Sequence, residues 1–107
     1  MFSQAANFGP LATVYIGQGF ERKYYSDGKL DYECVFVNGI PNGPYKAYFP
    51  DGKIREEGRY KDGKLDGECK VYYRDGKVGM EFRYDAGKLT ALKQYSSSGE
   101  LLAEHDL

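Results

Sequence analysis

Acidic side chains recur along this chain at a nearly fixed interval, at Glu33, Glu57, Glu81 and Glu104. Two carboxylates can cleave a glycosidic bond when one is held protonated in a desolvated pocket and the other stays ionised. Each of these four acids, however, is matched by a basic residue on the preceding stretch, Arg22, Lys46, Lys70 or Lys93. An opposite charge favours the ionised form, so the row reads as structural. In DGKLDGE at residues 62 to 68, Asp62, Asp66 and Glu68 are possible calcium ligands. An EF-hand loop needs alternating acids, a Gly and a Glu at its twelfth place, and this spacing does not match. GQG at residues 17 to 19 is too short for a phosphate loop and has no strand-to-helix GxGxxG context.

Covalent catalysis finds no better footing. A Ser or Cys nucleophile needs a base within hydrogen-bond reach that is oriented by a third group. His105 is the one histidine, and it lies two residues from the end, where chains fray. Cys34 and Cys69 have no CxxC spacing and no second histidine nearby, so they read as half-buried thiols of a reducing compartment. The expectation is a chain with no catalytic residue, no metal and no cofactor.

A protein of 107 residues is expected to form one domain with a thin core. Aromatics make up 16%, with 11 Tyr, 6 Phe and no Trp, alongside 14 Gly and 4 Pro, which is a folded, β-type composition. The formal net charge is −1 and no block of like charges occurs, which argues against a nucleic-acid partner. The start lacks the basic and uninterrupted apolar regions of a secretory signal, and no stretch approaches the length of a membrane-spanning helix. A cytoplasmic location is expected.

The elements that position these residues announce themselves as a repeat. YYSDGKL at Tyr24 returns as YFPDGKI at Tyr48, YYRDGKV at Tyr72 and YSSSGEL at Tyr95, at spacings of 24, 24 and 23. Asp-Gly between short aromatic or aliphatic runs favours a type I′ hairpin turn. Further turns fall at Asn38-Gly39 with Asn42-Gly43, at Asp62-Gly63 with Asp66-Gly67, and more weakly at Ala86-Gly87. A turn about every 12 residues predicts an antiparallel meander.

Treating each Asp-Gly or Ser-Gly as a two-residue loop fixes a register. One face then carries Tyr25/Leu30 and Lys23/Tyr32, Phe49/Ile54 and Ala47/Glu56, Tyr73/Val78, Val71/Met80 and Cys69/Phe82, and Ser96/Leu101 and Gln94/Ala103. It is mostly apolar and is expected to be buried. The other face pairs Arg22 with Glu33, Lys46 with Glu57, Lys70 with Glu81 and Lys93 with Glu104. Such pairs fix register and keep the face wet. Beside them run Tyr24, Tyr48, Tyr72 and Tyr95, rigid amphipathic rings of the kind that binding surfaces use. With Lys46 and Lys70 they form the candidate partner-binding residues.

The segments GPYKAYFPDGKIREEGRYKDGKLDG (residues 43 to 67) and GECKVYYRDGKVGMEFRYDAGK (residues 67 to 88) resemble the MORN-repeat variant. Its units read Gly-x-aromatic-Lys-x-Tyr-aromatic-x-x-Gly-Lys, followed by a second strand. The likeness covers residues 19 to 107 and fades at both ends. Glu21, Cys69 and Leu92 stand where Tyr45 supplies an aromatic, and Ser96 and Glu100 depart from the pattern in the last unit. The resemblance implies an interaction or scaffold module without catalytic residues. Bacterial members are labelled antitoxin or immunity proteins, so a toxin is one implied partner, and some MORN-type repeats are linked to phospholipids.

The predicted fold is therefore all-β, a single-layer elongated antiparallel meander of four stacked hairpin repeats of about 24 residues spanning 19–107. Residues 1–18, with Phe2, Phe8, Leu11, Val14, Tyr15 and Ile16, are expected to cap the sheet or extend it. The predicted function is binding of another protein. Two alternatives are a peripheral lipid binder using Lys29, Lys53 and Lys77, for which interspersed acids make a membrane a poor partner, and a structural array or homo-oligomer joined through an edge strand.

Overall fold

The computed structural model describes residues 19–107, so the expectation for residues 1–18 lies outside it. The described residues form nine strands: β1 (Gly19–Tyr24), β2 (Leu30–Val37), β3 (Ile40–Tyr48), β4 (Ile54–Lys61), β5 (Lys64–Leu65), β6 (Gly67–Tyr72), β7 (Val78–Asp85), β8 (Lys88–Tyr95) and β9 (Leu101–Asp106). They pair antiparallel in chain order in one sheet, with the short β5 joining β4 ahead of β6. Extents of 51 × 32 × 13 Å describe a single layer, because a second packed sheet would add about 10 Å of thickness. The all-β meander expected from the repeat is what forms.

The turns are distributed differently from the expectation. In the repeated phrase, the Gly28 N–H donates to the Tyr25 carbonyl at 2.9 Å and the Tyr25 N–H to the Lys29 carbonyl at 2.8 Å. Gly28 has φ 90°, while Asp27 stays at negative φ. This is a three-residue loop with a glycine in the left-handed position, not a type I′ turn. The Asp27 Oδ1 accepts the Lys29 N–H at 3.0 Å, and Asp51 and Asp75 do the same for Lys53 and Lys77. Capturing that N–H holds the aspartate in the turn and leaves positive φ to glycine alone. The type I′ turns are the ones between repeats, Asn38-Gly39, Asp62-Gly63 and Ala86-Gly87, where both residues have positive φ.

The longer loop shifts the register next to it. Tyr24, Tyr48, Tyr72 and Tyr95 pair with Leu30, Ile54, Val78 and Leu101, and a bulge at Asp31, Arg55, Gly79 or Leu102 then restores the expected alignment. The predicted pairs Tyr25/Leu30, Phe49/Ile54, Tyr73/Val78 and Ser96/Leu101 are thereby replaced. Because a one-residue slip changes face, Leu30, Ile54, Val78 and Leu101 join the tyrosine row instead of the apolar face. Beyond the bulge, Lys23/Tyr32, Ala47/Glu56, Val71/Met80, Cys69/Phe82 and Gln94/Ala103 pair as expected.

A second set of bulges explains the spacing of 23. Between β2 and β3, Val35 alone faces Asn42, Gly43 and Pro44; between β4 and β6, Gly58 and Arg59 face the stretch from Asp66 to Cys69. Between β7 and β8 the corresponding irregularity holds only Thr90. The last unit is one residue shorter because this bulge is smaller.

The core is a row of side chains across the middle strands. Cys34, Tyr45, Ala47 and Cys69 are the buried apolar residues among those described, and Tyr32, Phe36, Tyr60, Leu65, Phe82 and Tyr84 pack against the cluster of Cys34, Tyr45 and Cys69. Each ring is paired with small residues: Tyr45 with Cys34 on one side and Gly58 on the other, and Phe82 with Cys69. The positions where Cys69 replaces an aromatic are thus filled from the neighbouring strand. A Cβ on Gly58 would lie 2.5 Å from the Cys69 Sγ and 2.7 Å from the Tyr45 ring, so the ring lies over bare backbone. Gly58→Ala is expected to destabilise the protein by about 1–3 kcal/mol in urea unfolding, the usual range for overpacking a filled site. An unchanged midpoint would show that Tyr45 swings aside freely.

Candidate functional site

The charged face is ordered more fully than the hairpin pairs foretold. Arg22, Lys46, Lys70 and Lys93 face Glu33, Glu57, Glu81 and Glu104 within their hairpins, as expected. Between hairpins Glu33 also faces Lys46, Glu57 faces Lys70 and Glu81 faces Lys93. A single row of alternating sign therefore crosses the sheet from β1 to β9. Side chains close to ion-pair distance at its two ends, Arg22–Glu33 at 3.2 Å and Lys93–Glu104 at 3.6 Å. In the two middle hairpins no ion pair closes between Lys46 and Glu57 or between Lys70 and Glu81, and Glu33, Glu57 and Glu81 share a different partner.

That partner is the tyrosine of the following repeat. The Tyr48 hydroxyl donates to the Glu33 Oε2 at 2.7 Å, Tyr72 donates to Glu57, and Tyr95 donates to the Glu81 Oε1 at 3.0 Å. Hydrogen bonds to an ionised acceptor are the stronger kind, contributing about 1.5–3 kcal/mol when shielded and less at a half-exposed surface. Each bond ties one hairpin to the next, so the candidate binding residues Tyr48, Tyr72 and Tyr95 are also the ties between repeats. Tyr24 begins the row with 58% of its surface exposed and no hydroxyl hydrogen bond to another described residue. Lys46 and Lys70 sit half-buried between glutamates on the same face.

A second set of ties uses the next aromatic along. The Tyr25 hydroxyl donates to the Tyr48 carbonyl, and the Tyr73 hydroxyl to the Tyr95 carbonyl at 2.7 Å. Phe49 occupies the same place in the repeat between them and has no hydroxyl; the Arg74 guanidinium lies over its ring instead, 5.1 Å from the centroid. Where β4 and β6 pair only through Glu56/Val71 and Glu57/Lys70, a shallow cleft of about 380 Å³ opens, lined by Pro44, Glu57, Arg59, Glu68 and Lys70 among others. Arg83 holds Glu68 beside it at 2.6 Å.

Sequence reasoning placed the acids and the tyrosines on one face but did not join them. The signal was present: Glu33 to Tyr48, Glu57 to Tyr72 and Glu81 to Tyr95 repeat a separation of 15, 15 and 14. Gly58 was likewise readable as an interior strand glycine that invites a large neighbour.

The electrostatics of the row favour neutral donors. Burial, then the hydrogen bond to Glu33 or Glu57, pushes the Tyr48 and Tyr72 pKa values up to about 12. Tyr45 is raised too, first by burial and then by its 2.7 Å bond to Glu56. A pKa raised in the folded state contributes stability that is complete below the unfolded value near 10 and is lost as pH climbs through the folded value. The melting temperature is therefore expected to hold through neutral and mildly alkaline pH and to fall between about pH 10 and 12. In Tyr48→Phe/Tyr72→Phe that alkaline fall should be shallower; an equally steep fall in the variant would exclude these two hydroxyls as its source.

Comparison with known proteins gives the same reading of the repeats. The chain matches the MORN repeat variant over residues 19–38, 41–62 and 65–86. No curated protein matches. Solved structures do: a mutant of S. aureus TarM in complex with fondaparinux, α-GlcNAc-glycerol and UDP is 17% identical with a TM-score of 0.55, over 83% of this chain and 18% of that one. A second TarM crystal structure is 17% identical with a TM-score of 0.52, over 99% of this chain and 24% of that one. The chain thus spans at most 24% of the length of either, and the likeness is one of fold. The fourth hairpin, β8–β9, lies outside the matched spans yet repeats the glycine loop, the bulge and the Tyr95–Glu81 bond. With three consecutive matches over more than half its length, the chain belongs to the MORN repeat variant family, a non-enzymatic repeat module associated with protein or membrane-lipid binding.

Proposed function

We propose that this chain binds another protein through its charged face. The observation that carries the reading is the fixed tyrosine row: three hydroxyls are bound to glutamates, which holds the rings in place before a partner arrives. Rings ordered in advance lose little conformational freedom on binding. Lys46, Lys70 and the cleft beside Glu57 and Arg59 add polar recognition and a recess for an anchoring side chain. Among protein partners a toxin comes first, on the resemblance to bacterial repeats labelled antitoxins, with the cytoplasm as the meeting place. Lipid binding is the weaker reading, because the lysines of this face alternate with acids and give no concentrated positive field.

The tyrosines support the fold, so the lysines are the cleaner probes. Tagged protein should capture a stoichiometric protein partner from its host. Lys46→Ser/Lys70→Ser should reduce that capture about tenfold, the effect of losing roughly 1.4 kcal/mol of contact energy, with circular dichroism unchanged. The turn variant Lys29→Ser/Lys53→Ser should capture normally. Equal capture by both variants would remove this face as the binding surface, and sedimentation with anionic vesicles that depends on the turn lysines would favour the lipid reading.

A further inference from the structure

We propose that copies of this chain associate head to tail, β9 of one pairing antiparallel with β1 of the next, so that the sheet continues across the junction. The described sheet has two edge strands, and they differ in kind. β1 carries Arg22 and Lys23 with one acid, Glu21, and is net basic, whereas β9 carries Glu104 and Asp106 with His105 between them and is net acidic. Two β9 edges brought together are both net acidic and two β1 edges are both net basic, whereas β9 against β1 joins opposite signs. Unlike edges attract.

The repeat itself supplies the junction's register. Within the chain, the second strand of each hairpin meets the first strand of the next with Glu33 on Lys46, Glu57 on Lys70 and Glu81 on Lys93. The same alignment places Glu104 on the second copy's Arg22, His105 on its Glu21 and Ala103 on its Lys23. It also brings together the two unused members of the ladder. Glu33, Glu57 and Glu81 each accept a tyrosine hydroxyl from the following repeat, while Glu104 is exposed and receives none among the described residues. Among the described residues, Tyr24 is the row's one tyrosine without a glutamate acceptor. Docking by the internal rule sets the second copy's Tyr24 on Glu104 as Tyr48 sits on Glu33.

Exposed apolar surface lies at the same two edges. Phe20 is 51% and Tyr24 58% exposed on β1, and Leu101 is 51% and Leu102 59% exposed on β9. The interior tyrosines at the place of Tyr24 are half-buried by their neighbouring repeat. A junction of this kind joins two different surfaces, so it leaves a free edge at each end and growth is open-ended.

Sedimentation velocity of the full 107-residue chain, from micromolar to millimolar concentration, tests this. The wild type is expected to show a ladder of species that grows with concentration. Arg22→Glu sets Glu on Glu104 at the junction, and Glu104→Arg sets Arg on Arg22, so each variant alone should be monomeric. Their equimolar mixture should assemble, because one junction is then native and the other charge-swapped. Tyr24→Phe should leave circular dichroism unchanged and weaken association about tenfold, and it reports on the junction even if a charge variant perturbs β1. A wild type that stays monomeric throughout the range would overturn the proposal. Oligomers that persist equally in both charge variants would overturn it too, since like edges pairing about a two-fold axis would then be responsible.

Discussion

A hydroxyl handed back from each repeat to the glutamate of the repeat before it is the interaction on which this sheet depends. Among the described residues no opposing sheet or helix clamps the hairpins, and an isolated hairpin is marginal in water. Backbone ladders between β2 and β3, β4 and β6, and β7 and β8 give adhesion, but bulges interrupt all three. Tyr48–Glu33, Tyr72–Glu57 and Tyr95–Glu81 bridge these seams with charge-assisted bonds. The bulge beside each three-residue loop serves the same end, because it pairs Ile54 and Val78 with Tyr48 and Tyr72 on the ladder face.

The opposite face solves a packing problem with very few residues. Among the described residues no second layer covers the sheet, so they bury only what the sheet's own twist and side chains shield. Here the row Cys34, Tyr45, Gly58, Cys69, Phe82 sets each large ring beside a small residue, and the ring of Tyr45 covers the backbone of Gly58. The Tyr45 hydroxyl would be costly to bury alone, and it is satisfied by Glu56 at 2.7 Å. Cys34 and Cys69 fit as small apolar residues, both reduced, with burial raising their pKa values. The two faces thus divide the work: one fills space, and the other locks repeat to repeat while presenting an ordered polar surface.

Much of this is legible in the sequence. The repeated phrase gave the hairpins, and the opposition of Arg22 to Glu33 and Lys70 to Glu81 gave the register over most of each pair. The turn type was misread because Asp-Gly serves two geometries. What separates them is whether the aspartate side chain captures the N–H two residues on, a local choice that dipeptide preference does not reveal. That one extra loop residue moved Leu30, Ile54, Val78 and Leu101 across the sheet. Ala86-Gly87, the weakest turn signal, forms a full type I′ turn with Ala86 at φ 49°. There the flanking strand pairs, together with the Gly87 N–H bonded to the Leu65 carbonyl at 2.7 Å, override the residue's own preference. The ladder is hidden in the sequence because it joins one repeat to the next, whereas the Asp-Gly and Ser-Gly turns fix pairing only within a hairpin.

A double-mutant cycle at one rung tests the central claim most directly, with urea unfolding of the wild type, Tyr72→Phe, Glu57→Gln and the double variant. Glu57 also stands between Lys46 and Lys70, so only the cycle separates the rung from the charge row. If the rung joins the repeats, the coupling between the two positions should be about 1–2 kcal/mol. A coupling near zero, with the two losses simply adding, would mean that the bond is incidental and that backbone pairing alone holds the hairpins in line.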